Sequence, residues 1–192
     1  KIYSKLNGPI IRVSNPSTAE FCKLTDNSYR NTIFSFSNDV ALCASENNID
    51  IIEVLDSINY QYDRNNIPSP GYVSGYCLGK DPYIFEEAYN STRKNKNSHS
   101  LWYYGRKTND YLVDYTISRV NNFISNSKLK KKKIKILLLG LAFKNDIDDF
   151  RMSHSVDILN ELISQGFSSF NIYDPFLENN QYTMLNKNLN QY

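Results

Sequence analysis

The chain has 192 residues, 41% of them hydrophobic and 22% charged, with a formal net charge of +2. That length buries a real core in one large domain or two small ones, and no apolar run approaches the roughly 20 residues of a membrane-spanning helix. The basic cluster from Lys128 to Lys135 has no interleaved aromatic residues and sits directly before an apolar run. It therefore reads as a solvated linker and not as a nucleic-acid surface.

In chain order, Ser17-Thr18-Ala19-Glu20 has the form of a capping box and predicts a long helix. Cys22, Tyr29, Ile33, Phe36, Val40 and Cys43 recur at steps of seven, four, three, four and three, an apolar stripe down roughly seven turns. Asn47-Asn48 is its stop, and Asp50 to Asn59 reads as a shorter helix. From Tyr60 to Gly79 the chain carries Pro68, Pro70, Gly71, Gly75 and Gly79, a loop of the length that compact domains reserve for function. Asp81-Pro82 then opens a helix to about Thr92, as cap and first-turn proline.

Another helix runs from about Leu101 to Ser125 and leads into the lysine run. There the period changes. Lys133 to Gly140 reads as a buried strand ending in a glycine turn, Ser153 to Gln165 as an amphipathic helix closed by Gly166, and Ser169 to Tyr173 as a second strand. Strand, helix, strand is a βαβ unit and implies a parallel sheet. The fold class expected is α plus α/β, a helical domain over residues 1–127 followed by the start of a Rossmann-like parallel-sheet domain over 128–192. The polar, asparagine-rich tail from Phe176 to Tyr192 is left without assigned structure.

Three cysteines, with no CxxC pair and no histidine at ligand spacing, suggest neither a disulfide framework nor a metal site, and fit a reducing, cytoplasmic setting. Cys22 and Cys43 lie on the apolar stripe. Cys77 stands apart in the glycine- and proline-punctuated loop, four residues before the Asp81 helix start and near Lys80, where it is either an inert thiol or an activated nucleophile. Lys23 and Asn27, with Arg30, share one helix face, which is either solvated or turned to a cleft. Asp81 is a cap or a functional carboxylate. Lys144, Asp148, Asp149 and Arg151 follow the glycine turn where open α/β sheets place ligands.

Together these stretches resemble one family in the correct order. Ala19-Glu20, Lys23 and Asn27 resemble the AE-x-x-K-x-x-x-N helix of the UDP-glucose dehydrogenase family of nucleotide-sugar dehydrogenases. Gly75-Tyr76-Cys77 through Asp81-Pro82 resembles its G-x-C-x-x-x-D-P loop, and Gly105-Arg106 with Asn109-Asp110 its G-R-x-x-N-D segment. Leu139-Gly140-Leu141-Ala142-Phe143-Lys144, through Asp149 and Arg151, resembles the opening of its C-terminal domain, and Tyr173-Asp174-Pro175 the end of the next strand.

The resemblance implies an NAD-dependent, four-electron oxidation of the primary alcohol of a UDP-sugar to a carboxylate through a cysteine thiohemiacetal and thioester. Carried over, Cys77 is the nucleophile and Lys23, Asn27 and Asp81 assist it. Arg64, Tyr72, Gly75, Phe143 and Lys144 are the expected substrate-binding residues, Arg64 reaching in from a neighbouring subunit, and Lys80 and Arg151 lie near the cofactor. A homodimer through the helical domain is implied, with no membrane, nucleic-acid or metal partner. Tyr72 and Ser74 stand where the family carries glycines, Arg64 is spaced a residue or so off the pattern, and Met152 replaces a glutamate. No G-x-G-x-x-G occurs in the sequence, so the family's N-terminal NAD-binding domain is expected to be absent from this chain. The alternative reading is an inactive dimerisation and nucleotide-sugar-binding fragment.

Overall fold

A computed structural model describes residues 5, 8–94, 98–127 and 129–176. Helix α1 spans Pro16–Glu46, α2 Ile51–Asn59, α3 Tyr76–Thr92 and α4 Leu101–Ser127; a single 3-10 turn at Lys131–Lys133 leads to β1 (Ile136–Leu139), α5 (His154–Ser164) and β2 (Phe170–Tyr173). The Asn-rich tail expected to lack structure lies, from 177 on, outside the described residues.

Helix α1 starts two residues earlier than the capping box predicts. Asn15 is the cap, its side chain accepting from the Thr18 amide at 2.8 Å, and Pro16 takes the first helical position, where its missing N–H costs nothing. The predicted apolar stripe also faces the other way. Asn27, Asn31, Ser35 and Asn38 form the buried face, while Cys22, Tyr29, Phe36 and Cys43 are exposed.

A polar buried face is costly unless its groups are paired. Helix α4 supplies partners for Asn31 and Asn38. Asn109 Nδ2 donates to Asn31 Oδ1 at 2.9 Å, and Asn38 Nδ2 donates to Asn109 Oδ1 at 2.8 Å. The helices come this close because of Gly105, where a Cβ would stand 2.6 Å from Ser35 Oγ.

The β1–α5–β2 unit is the expected parallel crossover, with Ile136 opposite Phe170 and Leu138 opposite Ile172. It joins the helices through a core in which Ile117 and Ile124 of α4 meet Ile158 and Leu162 of α5 and Phe167 beyond it. Lys131, in the lysine run, is not a free linker charge. Its Nζ donates to the Gln165 carbonyl at the end of α5 and sits 5.0 Å from the centre of the Phe167 ring. No helix among the described residues is long and apolar enough to cross a membrane.

Candidate active site

The loop from 60 to 75 is held against α1 at fixed points. Ser37 Oγ donates to the Pro68 carbonyl at 2.5 Å, and Asn38 both accepts from the Gly71 amide at 2.8 Å and donates to the Gly71 carbonyl at 3.0 Å. Arg106 Nη1 then takes the Val73 carbonyl at 2.9 Å. The polar face of α1 thus fixes the strand of chain that delivers Cys77.

At Gly75 the backbone turns with φ +91, and a Cβ there would lie 2.8 Å from the Phe143 ring. Only glycine meets both conditions without strain. This turn is the cap of α3, which begins at Tyr76, five residues before the predicted Asp81 start. Cys77 is therefore in the first turn of a helix, and Asp81 is one turn further on and buried, not an N-cap. Pro82 lies inside the helix and leaves the Leu78 carbonyl without its usual donor. Arg106 Nη1 approaches that carbonyl at 3.3 Å.

Three of the predicted residues are joined by hydrogen bonds. Lys23 Nζ donates to Asn27 Oδ1 at 3.2 Å, and Asn27 Nδ2 donates to Asp81 Oδ2 at 2.5 Å. Lys80 Nζ pairs with the other carboxylate oxygen of Asp81. Burial opposes charge on Asp81, but the Lys80 and Asn27 hydrogen bonds and the Lys80 and Lys23 charges outweigh it and hold the carboxyl below its ordinary range. The same Asp81 contact raises Lys80 above the ordinary lysine range. The arrangement is an ionised, buried carboxylate four residues beyond Cys77, with ammonium groups on both sides of it.

Cys77 is exposed and borders a cleft of about 440 Å³ with Arg30, Phe34, Tyr72, Gly75, Phe143 and Lys144. A larger cleft of about 760 Å³ opens where β1 and β2 end and α5 begins, between the turn after Gly140 and the Ser153–Ser155 start of α5. Asp174, just past β2, forms its floor by accepting from the Leu141 and Ala142 amides at 2.8 and 3.0 Å. Tyr72, Ser74, Phe143 and Lys144 line both clefts, so they are the shared wall. Gly75 N–H donates to the Met152 carbonyl at 3.3 Å and ties that wall to the α5 side.

Six of the candidate residues line neither cleft: Lys23, Asn27 and Asp81, whose bonds are given above, and Arg64, Lys80 and Arg151. Arg64 is exposed, with its guanidinium 5.7 Å from the centre of the Tyr62 ring. Lys80 is engaged with Asp81. Arg151 pairs with Asp149 at 2.8 Å and lies over the Tyr76 ring at 5.5 Å, beside the residue that precedes Cys77. Among the described residues no group of three or more metal-type side chains gathers. Sequence reasoning quoted the Gly105-Arg106 motif without giving Arg106 a task. The available signal was Pro82, since a proline inside a helix predicts an orphan carbonyl one turn back.

Two family models match the chain. The UDP-glucose/GDP-mannose dehydrogenase family, central domain, matches residues 17–111, and its UDP binding domain matches residues 137–192. UDP-N-acetyl-D-mannosamine dehydrogenase of Yersinia pestis is 35% identical over 152 residues, 76% of this chain and 34% of the relative. The Campylobacter jejuni protein of the same name is 31% identical over 182 residues, 91% of this chain and 40% of the relative. Among solved structures, a UDP-D-ManNAc dehydrogenase from Pyrococcus horikoshii matches with a TM-score of 0.76 at 28% identity, over 90% of this chain and 40% of that one. The chain spans well under half the length of these relatives.

Proposed function

The chain belongs to the UDP-glucose/GDP-mannose dehydrogenase family, and from that premise we propose that it carries the nucleophile and part of the nucleotide-sugar site of an NAD-dependent UDP-sugar 6-dehydrogenase. In this reading residues 1–127 are the helical catalytic and dimerisation domain, and 128–192 begin the domain that binds the nucleotide. The observation that carries it is the Lys23–Asn27–Asp81 chain of hydrogen bonds, which meets α3 one turn past Cys77.

The residues present do not make a dinucleotide cradle. β1 turns at Gly140 into an irregular stretch, and α5 begins only at His154, with no glycine-rich turn feeding its N-terminus. The cofactor belongs to chain that these residues do not supply, with the exposed cations Lys80 and Arg151 proposed to lie near it. NAD, when bound, accepts the hydrides that a four-electron oxidation releases.

The chain's own groups have the remaining tasks. Cys77 Sγ attacks the carbonyl carbon of the aldehyde to give a thiohemiacetal, then holds the acyl group as a thioester until water opens it and frees the acid. Lys23 Nζ donates toward the developing oxyanion, and Asn27 fixes the direction of that donor. Asp81, kept ionised, holds Asn27 and accepts a proton from the hydrolytic water. Phe143, Lys144, Tyr72 and the Gly75 backbone bind the nucleotide sugar along the wall common to both clefts. Arg64, exposed and lining neither cleft, is proposed to serve a partner subunit's substrate.

Four exposed residues spaced seven apart on α1, Cys22, Tyr29, Phe36 and Cys43, with half-buried Ile33 and Val40 between them, form a heptad seam with no partner among the described residues. That seam supports the homodimer. Three cysteines without a disulfide suit the cytoplasm.

The test uses the protein of natural length that carries this chain, assayed for NADH formation with a panel of UDP-sugars. The names of the relatives put UDP-N-acetyl-D-mannosamine first in that panel, and the family's own description puts UDP-glucose second. Turnover in the wild type and a loss on the order of a thousandfold or more in Cys77→Ser are expected, because a hydroxyl without a paired base is a poor nucleophile. Unchanged turnover in that variant would sink the assignment. UDP-sugar binding without NADH would favour a binding module instead.

A further inference from the structure

Arg106 is charged, fully buried and outside both clefts. Besides Asn31 Oδ1 on α1, which Nη1 approaches at 3.4 Å, its backbone contacts fall on the two sides of the turn that carries Cys77. Nη1 reaches the Val73 carbonyl, four residues before the thiol, at 2.9 Å and the Leu78 carbonyl, one residue after it, at 3.3 Å. Nε and Nη2 meet Asp110 Oδ1 at 2.9 and 2.8 Å, and Asp110 in turn accepts from Tyr83 Oη at 2.6 Å. A guanidinium is suited to this because its donors form a rigid planar fork, so anchoring one edge on Asp110 aims the other.

The Leu78 carbonyl needs such a donor for a reason written in the chain. In an uninterrupted helix it would accept from the N–H of residue 82, but that residue is proline and has none. We propose that Arg106 is the positioning residue of the Cys77 turn: it replaces the donor that Pro82 removes and, through Val73, fixes the approach to Gly75, so that the thiol is held in one pose. This rests on the dehydrogenase reading for its catalytic consequence, and on geometry alone for the clamp.

The clamp predicts a compensating change. The ammonium introduced by Arg106→Lys is one nitrogen: held at Asp110 it no longer reaches the Val73 and Leu78 carbonyls, which the guanidinium serves from its other edge. Pro82→Ala restores the missing N–H and with it the ordinary helical bond to Leu78. In the protein of natural length, Arg106→Lys should lower kcat for the UDP-sugar about a hundredfold with KM changed less than about threefold, the size of loss that a misplacement of about 1 Å produces. Adding Pro82→Ala should recover about tenfold of that loss, although Pro82→Ala alone changes kcat little.

Amide hydrogen exchange gives a readout that needs no turnover. In Arg106→Lys, exchange over residues 72–79 should quicken about tenfold while α2, which Arg106 does not touch, is unchanged, and Pro82→Ala should slow it again. Full kcat in Arg106→Lys, a rise in KM alone, or no recovery on adding Pro82→Ala would overturn the proposal. If the wild type turns over no UDP-sugar, the dehydrogenase reading fails separately, and the exchange pattern alone decides whether the clamp exists. If Arg106→Lys does not fold, Arg106→Gln, which keeps a planar donor without the charge, takes its place under the same criteria.

Discussion

Gly75 meets two independent restrictions, a left-handed backbone and the Phe143 ring against its α-carbon. Gly79, four residues on, meets neither: it lies inside α3 and an added Cβ would point into open space. The two glycines therefore predict opposite signs. Gly75→Ala should cost about 1–3 kcal/mol and reduce activity with it, since both the backbone strain and the ring contact must be relieved by movement at the cleft. Gly79→Ala should stabilise by about 0.5–1 kcal/mol, because it removes a glycine from a helix interior. Urea unfolding monitored by circular dichroism separates the two. Equal effects would mean that the Gly75 turn is not under the constraint described. At this scale the sequence proposed Cys77, Lys23, Asn27 and Asp81 by motif order and put Lys23 and Asn27 on one helix face, but the bond from Asn27 to Asp81 links distant parts of the chain and could not be read from spacing. Arg106 left only an indirect signal, the proline at position 82, because two of its partners are backbone carbonyls and leave no mark on residue identity.

Elements were legible in number, order and type, and the departures have specific causes. The α3 start was misplaced because Asp81-Pro82 has the form of a helix opening, whereas Gly75 caps the helix by backbone geometry and no side chain announces it. Hydrophobic periodicity located α1 but assigned its faces wrongly, since a stripe of Cys, Tyr, Ile, Phe and Val is ordinarily turned inward. Here α4 presents Arg106 and Asn109, so the asparagine face is the one that finds partners within the chain. The apolar heptad stays exposed, as the seam proposed for a second chain. Phe36, 55% exposed on that seam, gives the test. The wild-type protein should have a dimeric mass by light scattering at micromolar concentration, and Phe36→Glu a monomeric one with its helical circular dichroism retained, since a charge opposite its own copy is unfavourable on an apolar seam. A monomeric wild type would remove the seam as an interface.

Among the described residues, three buried carboxylates are spread across the helical part and the β1–α5–β2 unit: Asp81, Glu86 and Asp174. Burial opposes the charge of each, and in each it is outweighed. Asp81 has Lys80 and Asn27; Glu86 has Ser100, His99 and Arg93; Asp174 has the amides of Leu141, Ala142 and Phe176. All three are therefore held below their ordinary carboxyl range. A carboxyl whose folded pKa lies below its unfolded value contributes stability that is complete above the unfolded value and is lost as pH falls through the folded one. Stability should thus vary little on these groups' account near neutrality and fall steeply below about pH 4. Asp174→Asn isolates one contribution, because it keeps an acceptor for the turn after β1 but removes the ionised one. At pH 7 it should be less stable than the wild type by about 1–3 kcal/mol, the value of a backbone donor's bond to a charged acceptor. Urea titrations between about pH 6 and 3 should then show a shallower decline than in the wild type, the two curves converging in acid where the wild-type carboxyl is itself protonated. Parallel curves would mean that Asp174 is no more easily ionised in the folded chain than in the unfolded one, and that the floor of the larger cleft is held by other contacts.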